Sequence, residues 1–157
     1  MYFTAGERPL AHTPLTQLMA LYEQNYLNVR LLAPGLVDLE CGEYWSSLPD
    51  CLDLRLRVLE RSRYTTTVNL SYVFSPESGR VDKPDLVVRV YHDARSAEAM
   101  SGLIHGDRLT RREVRDLHRS WTLNRFLYKW LRYNLHRGHQ FNRLDEPVQV
   151  APDPDRV

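Results

Sequence analysis

The stretch of sequence that decides the fold is Trp121-Thr-Leu-Asn-Arg-Phe-Leu-Tyr-Lys-Trp-Leu-Arg-Tyr-Asn-Leu135. Its apolar residues recur at spacings of three and four, which places them on one face of an α-helix. These residues are Leu123, Phe126, Leu127, Trp130, Leu131 and Leu135. Three cations, Arg125, Lys129 and Arg132, fall towards the opposite face. We predict a long C-terminal helix that packs its apolar face on the core, exposes a basic face and ends at Gly138.

A second helix is predicted near the N-terminus, from about Pro14 to Leu32. Proline suits the first helical position, where its missing N–H has no partner to lose, and Pro34-Gly35 ends the helix. Apolar residues at helical spacing predict its buried face: Leu15, Leu18, Met19, Tyr22, Tyr26 and Val29.

Between the helices the apolar period changes to two, which is typical of half-buried strands. Strands are predicted at residues 52–58, 64–74 and 85–93, and they would pair as an antiparallel meander. Residues 97–104 suit either a helix or a fourth strand, and we favour the strand because it would cover an open sheet edge. Residues 36–51 have no clear period and are predicted to be a loop that packs down and can include a short turn.

The predicted fold class is therefore α+β: an antiparallel three- to four-stranded meander flanked by an N-terminal helix and a long C-terminal helix. We expect one domain over residues 13–144, a flexible arm at 1–12 and a disordered, acidic, proline-rich tail at 145–157. The apolar runs are too short to span a bilayer and the N-terminus has no secretory pattern, so we expect a cytoplasmic protein without membrane contact. In that compartment Cys41 and Cys51 are expected as free thiols, with pairing as the alternative.

The net charge of +1 conceals an uneven distribution. Residues 105–144 carry 10 basic and 3 acidic side chains, whereas residues 1–60 carry 4 basic and 8 acidic ones. The acidic half of the chain can neutralise this basic segment, or the segment can attract an anionic partner. Aromatic residues lie between its cations, a pattern found on nucleic-acid-binding surfaces.

Recognisable catalytic patterns are absent from the sequence. Neither GxGxxG nor GxxxxGK[ST] occurs, and the six histidines have no zinc-binding spacing, so we predict no cofactor, no metal site and no catalytic residue. The best candidate ligand site is polar and lies around the third strand. Alternation puts Arg89, Tyr91 and Asp93 on one strand face and His92 on the other. Pairing with the preceding strand would bring Arg63 and Tyr64 close to them.

Four motifs, in order along residues 15–140, are the basis of a resemblance to a known family. They are Tyr22-Glu23-x-Asn25-Tyr26, Ser62-Arg63-Tyr64-Thr65-Thr66, Val88-Arg89-Val90-Tyr91-His92-Asp93-Ala94, and Asn124-x-Phe126-Leu127-x-x-Trp130-Leu131-x-Tyr133 with Gly138. The chain resembles the YqiB-like family of small bacterial proteins, a domain of unknown function. This resemblance implies a single bacterial cytoplasmic domain and brings no activity, cofactor or catalytic assignment.

The sequence thus favours a non-enzymatic binding or regulatory module for a protein or an anionic ligand. Two alternatives stay open. One is a small enzyme or nucleotide-binding protein that uses Arg63, Tyr64, Arg89, Tyr91 and Asp93. The other is a nucleic-acid-binding protein that uses the basic segment 108–143.

Overall fold

The computed structural model describes residues 14–73, 84–104, 107–109 and 117–142. The predicted arm and tail lie outside these ranges. The elements in chain order are α1 (Pro14–Leu32), a 3₁₀ turn (Leu36–Asp38), β1 (Gly42–Ser46), β2 (Asp53–Arg61), β3 (Thr65–Val73), β4 (Asp85–Tyr91), β5 (Ser96–Ile104), β6 (Asp107–Leu109) and α2 (Leu117–Arg137).

The strands form one antiparallel meander in the order β1-β2-β3-β4-β5-β6, so each strand pairs with its neighbour in sequence. The α+β class, the N-terminal helix and the long C-terminal helix are therefore confirmed. The preference for a strand at residues 97–104 is also correct, because β5 pairs with β4 from Ser96 to Leu103. The predicted number of three to four strands is too low, since the described residues contain six.

The segment 36–51 contains the expected short turn, which is the 3₁₀ turn, but the prediction of a loop is wrong where β1 forms. Gly42 to Ser46 pair with Val58 to Leu54 of β2. Tyr44 and Ser46 are buried, whereas Gly42, Glu43 and Trp45 are half-buried. A strand of five residues has too few alternations for its period of two to be recognised in the sequence. Its extended conformation depends instead on pairing with β2.

Both helices pack against each other and against β5, on one face of the sheet. The core lies between the helices and this face, where alternate strand residues point inward. These include Leu54, Leu56, Val58, Val68, Leu70, Leu86, Val88, Val90, Ala97 and Ala99. The opposite face, here called the open face, carries mainly polar side chains such as Arg57, Thr67, Arg89 and Tyr91, which are half-buried.

The predicted apolar stripe of α2 is confirmed, because Leu123, Leu127, Trp130 and Leu131 are all buried. The predicted buried face of α1 is only half correct. Leu18, Tyr26 and Val29 are buried, but Leu15 and Met19 are 56% and 50% exposed. Their places in the interface are taken by polar residues, since Asn25 and Asn28 are buried instead. The helix is apolar on every side, so apolar spacing alone could not identify the face that packs.

A buried amide explains why Asn25 enters this interface. Asn124 of α2 is fully buried, and its Oδ1 accepts a hydrogen bond of 2.7 Å from the backbone N–H of Ala99 in β5. Its Nδ2 donates to the carbonyl of Ser120, one turn earlier. Asn25 Nδ2 donates to the backbone carbonyl of Asn124 at 3.2 Å. These bonds connect α1, α2 and β5 at one point.

The end of α2 is fixed by Gly138, whose φ of 102° is strained for residues with a Cβ. The N–H of Gly138 donates to the carbonyl of Leu135, and the N–H of His139 donates to that of Asn134. This pair of bonds is a Schellman motif, so the predicted stop is confirmed. Phe141 follows and donates its N–H to the carbonyl of Leu32, which ties the ends of the two helices together.

We expect Asn124→Ala to lower the free energy of unfolding by roughly 2–3 kcal/mol, because the buried N–H of Ala99 loses its acceptor. Urea unfolding followed by circular dichroism measures the change. Thr122→Ala is the matched control, since Thr122 is exposed on the same helix and, among the described residues, its hydroxyl bonds only the His118 carbonyl. This control substitution should change the free energy of unfolding by no more than about 0.5 kcal/mol. Equal stabilities of the two variants would contradict the role given to Asn124.

Candidate functional site

Arg89 and Tyr91, the two central residues of the predicted ligand site, share the open face of β4. They line a polar groove of about 250 Å³ together with Glu60, Thr65 and Thr67. The strand register creates this arrangement, because Thr65 pairs with Tyr91 and Thr67 pairs with Arg89. The groove is therefore a product of neighbouring strands and needs no loop to hold it.

Arg89 lies in a row of side chains that crosses four strands. In this row Glu60 pairs with Thr67, Thr67 with Arg89, and Arg89 with Glu98. The Nε of Arg89 donates to Thr67 Oγ1 at 3.4 Å. One guanidinium thus lies between two carboxylates, which weaken its attraction for an anion.

Tyr91 connects this row to the helices. Its hydroxyl donates to Glu98 Oε1 at 2.9 Å. Tyr22 of α1 also hydrogen-bonds Glu98, and it receives a second bond from Ser120 of α2. Burial raises the pKa of Tyr22 and of Tyr91, and the negative charge of Glu98 raises both further. Both phenols therefore stay protonated and act as donors to Glu98.

The other three residues of the predicted site do not line the groove. Arg63 and Tyr64 are exposed in the turn between β2 and β3, where the Arg63 guanidinium lies 5.2 Å from the centre of the Tyr64 ring. Asp93 is exposed in the turn after β4. The two turns are adjacent, because His92 donates its N–H to the carbonyl of Tyr64 at 2.8 Å. The predicted cluster is thus divided between a groove and two neighbouring turns.

A pocket that the sequence did not indicate lies at the C-terminal end of α2. It measures about 220 Å³, and Cys51, Tyr72, Asn134, Arg137 and His139 line part of it. Tyr72 donates its hydroxyl to Asn134 Oδ1, and Arg137 donates to Cys51 Sγ at 3.3 Å. Cys51 comes close to α2 through the fold, 86 positions away in sequence, so no local motif could have revealed the contact. Both Cys41 and Cys51 are free thiols.

His139 is a buried imidazole beside this pocket. Its Nδ1 lies 2.9 Å from Ser46 Oγ, and its ring also hydrogen-bonds the Leu52 carbonyl. The Ser46 hydroxyl accepts the N–H of Gln140 at 3.3 Å. Burial lowers the pKa of His139 from its ordinary value of 6.5, although the charge of Asp53 and the bond to Leu52 act in the opposite direction. The neutral ring therefore connects β1 to the end of α2.

The predicted basic surface is a row along the outward side of α2. Arg125 and Lys129 are half-buried, and Arg132 is exposed. Partial desolvation and the positive charge of Arg125 both lower the pKa of Lys129. The helix from Leu117 to Arg137 contains five Lys or Arg residues and neither Asp nor Glu, so its own sequence offers no neutralising charge.

Aromatic residues contribute little to this basic surface. Trp130 is 6% exposed and packs its ring edge-on against Tyr72, with centroids 5.1 Å apart. Tyr133 is 49% exposed, with the Arg137 guanidinium 5.9 Å from its ring centre. The basic row therefore lies beside one clearly exposed aromatic ring.

An apolar strip lies on the neighbouring helix. Leu15, Met19, Leu27 and Leu31 of α1 are each 50–56% exposed. Because α1 and α2 pack side by side on the same sheet face, this apolar strip and the basic row belong to one outer surface. That surface combines exposed hydrocarbon with positive charge, and it also carries the exposed Glu23, one helical turn from both Met19 and Leu27.

Two further findings concern the residues that the structure describes. None of the described helices is long and apolar enough to cross a membrane. Within the same residues, His, Cys, Asp and Glu side chains do not form a group of three suited to a metal ion.

We expect protonation of His139 to destabilise the fold. The unfolded ring titrates near its ordinary value of 6.5 and the folded ring titrates lower, so stability is complete above about pH 6.5 and falls as the pH drops towards the folded value. Urea unfolding at about pH 7.5 and about pH 5.5 measures this loss. His139→Gln should reduce the difference between the two conditions. An unchanged difference would show that other groups cause it, such as His92, whose pKa is also lowered by burial.

The comparisons with known proteins agree with the resemblance seen in the sequence. A family model described as "Protein of unknown function (DUF1249)" matches residues 28–140. The "Uncharacterized protein YqiB" of Escherichia coli strain K12 is 32% identical over 137 residues, which cover 81% of this chain and 93% of the relative. The same values hold for the protein of that name from Escherichia coli O157:H7. No solved structure shows a significant match. The predicted resemblance is confirmed, and the chain belongs to the DUF1249 family.

Proposed function

We propose that this protein is a non-enzymatic binding module that holds an acidic protein partner on the outer surface of its two helices. The observation that carries the proposal is the row of Arg125, Lys129 and Arg132 on a helix without a single acidic residue. Such a row attracts negative charge and increases the rate of association with an acidic surface. The alternative is that the acidic half of the same chain neutralises this row.

The apolar strip supports a protein as the partner. Four large apolar side chains of α1 are at least half exposed, in two pairs on either side of the exposed Glu23, and they offer apolar area that a protein partner can cover. Burying them against a partner yields hydrophobic free energy, while the neighbouring cations select an acidic rim. A segment with leucine-like side chains on one side and carboxylates on the other matches both features.

Two other occupants fit this surface less well. A second copy of the chain would bring one basic row towards another, which costs electrostatic free energy. A nucleic acid would engage the cations, but it gains little from Leu27 or Leu31, and the buried Trp130 is not available to stack on a base. Nucleic-acid binding by the segment 108–143 is therefore the weaker alternative.

A second candidate function is a small-ligand site at the polar groove. The observation that favours it is a volume of about 250 Å³ lined by the hydroxyls of Thr65, Thr67 and Tyr91 and by Arg89. Glu60 also lines the groove, so the ligand should present hydrogen-bond donors as well as an anionic group. Arg63, Tyr64 and Asp93 lie in the turns beside the groove and would contact the outer part of such a ligand.

Reversing the charge of the basic row should prevent partner binding. The immobilised protein would be incubated with lysate of its source cells, and retained proteins would be quantified by mass spectrometry. We expect Arg125→Glu/Lys129→Glu/Arg132→Glu to reduce retention of a specific acidic protein at least about tenfold, because attraction becomes repulsion. The interaction is then measured by calorimetry with the purified partner.

Matched single variants make this test specific. Arg132→Glu should weaken the purified complex, whereas Arg63→Glu, which reverses one exposed charge in a turn of the sheet, should not. Leu27→Ser/Leu31→Ser should also weaken binding without loss of fold stability, since both residues are exposed. The proposal would be contradicted if the triple variant retained the acidic protein as well as the native protein does. Retention that disappears after nuclease treatment would support the nucleic-acid alternative instead.

The groove is tested by a thermal-shift screen against nucleotides, cyclic nucleotides and phosphorylated metabolites. A ligand present at 100 times its Kd should add about 2.7 kcal/mol of stability. We expect any such gain to disappear in Arg89→Ala and to remain in Arg57→Ala, because Arg57 lies on the same face but is paired with Glu43 at 3.2 Å. A gain that survives Arg89→Ala would exclude the groove as the site.

A further inference from the structure

We infer that a separate cleft at the end of α1 binds a small carboxylate with an apolar body. The cleft measures about 230 Å³ and lies between α1, the turn that follows it, and β4. Val29, Ala33, Leu36 and Val90 form its apolar walls, while Arg30 and His92 supply polar groups. This inference is independent of the proposed partner surface, because it uses different residues.

The walls of the cleft are fixed by the core and by backbone hydrogen bonds. All four apolar wall residues are at most 4% exposed. Ala33 donates its N–H to the carbonyl of Val29, and Leu36 donates to that of Ala33. Phe141 holds the last turn of α1 through the Leu32 carbonyl. A ligand therefore enters a formed cavity and does not have to order it, which reduces the cost of binding.

His92 is held in a defined orientation beside these walls. Thr66 Oγ1 lies 2.7 Å from its Nε2, and its backbone N–H is bonded to Tyr64. Among the described residues Nδ1 has no hydrogen-bond partner. Burial lowers the pKa of His92, so the ring is neutral near pH 7 and provides one nitrogen for a ligand.

Two guanidinium groups lie at or near this end of the cleft. Arg30 lines the cleft and makes no ion pair within the residues that the structure describes. Arg61 donates to the carbonyl of Val37, another lining residue, at 3.0 Å, and its charge acts on His92. Asp93 acts on His92 with the opposite sign. Arg30 lines the cleft, and a guanidinium matches a carboxylate in shape and charge.

The volume of the cleft limits the size of the ligand. A cavity of about 150 Å³ accepts benzene, so about 230 Å³ accommodates a group of roughly eight non-hydrogen atoms. The hydrophobic walls select an aliphatic or aromatic body, and the arginines select the carboxylate. Hexanoate has this size and chemistry and is a suitable probe.

The inference is tested by titrating ¹⁵N-labelled protein with hexanoate and with hexanamide, its uncharged counterpart of the same shape. We expect hexanoate to shift the amide resonances of Ala33, Leu36 and His92 with a Kd of about 1–10 mM, as suits so small a ligand. Hexanamide should bind at least about fivefold more weakly, because it lacks the charge.

Two variants show whether the cleft causes the effect. Arg30→Gln should weaken hexanoate about fivefold and leave hexanamide unchanged, since it removes one cation and no wall. Val37→Asp, at a residue 48% exposed, should repel hexanoate specifically and leave the fold intact. The inference is overturned if neither probe shifts the cleft resonances at about 50 mM, if the shifts lie elsewhere, or if the variants bind hexanoate as the native protein does.

Discussion

The hydrogen bonds of Asn124 are the interaction on which the rest of the structure depends. A buried side-chain amide needs hydrogen-bond partners both for its N–H donors and for its carbonyl acceptor. Without them, folding costs the desolvation free energy of each unpaired group. Asn124 meets this demand with the Ala99 N–H and the Ser120 carbonyl, while its own backbone carbonyl receives Asn25. Leucine packing alone would tolerate several helix positions on the sheet, whereas these directional bonds tolerate one.

Fixing the helices in this way also decides what the protein presents to solvent. Once Asn25 and Asn28 face inward, Leu27 and Leu31 must face outward, although both are leucines. The same constraint turns Arg125 and Lys129 of α2 away from the sheet. The apolar strip and the basic row are thus consequences of one buried contact. Exposing these apolar side chains to water destabilises the isolated protein. A partner that covers them can recover this free energy.

The sequence predicted the elements of this fold better than their orientation. Pro14, Pro34 and Gly138 gave correct helix boundaries because they act through local backbone geometry. The alternation in β4 correctly placed Arg89 and Tyr91 on one face, opposite His92. The buried face of α1 was not predicted correctly, because the partner of Asn25 lies 99 positions away in α2. The spacing of apolar residues within α1 carries no information about that partner. The Cys51–Arg137 contact and the carboxylate cleft were missed for the same reason.

The candidate sites differ in how well their charges are matched, and this difference favours binding over catalysis. On the open face, Arg89 lies between Glu60 and Glu98, and Glu98 accepts hydrogen bonds from Tyr22 and Tyr91. Such a network is largely satisfied and mainly holds α1 against the sheet. On α2, the repulsion between Arg125 and Lys129 persists in the fold. An anionic group bound beside these two cations would reduce this repulsion. We therefore expect the helical surface to gain more from an anionic partner than the open face does.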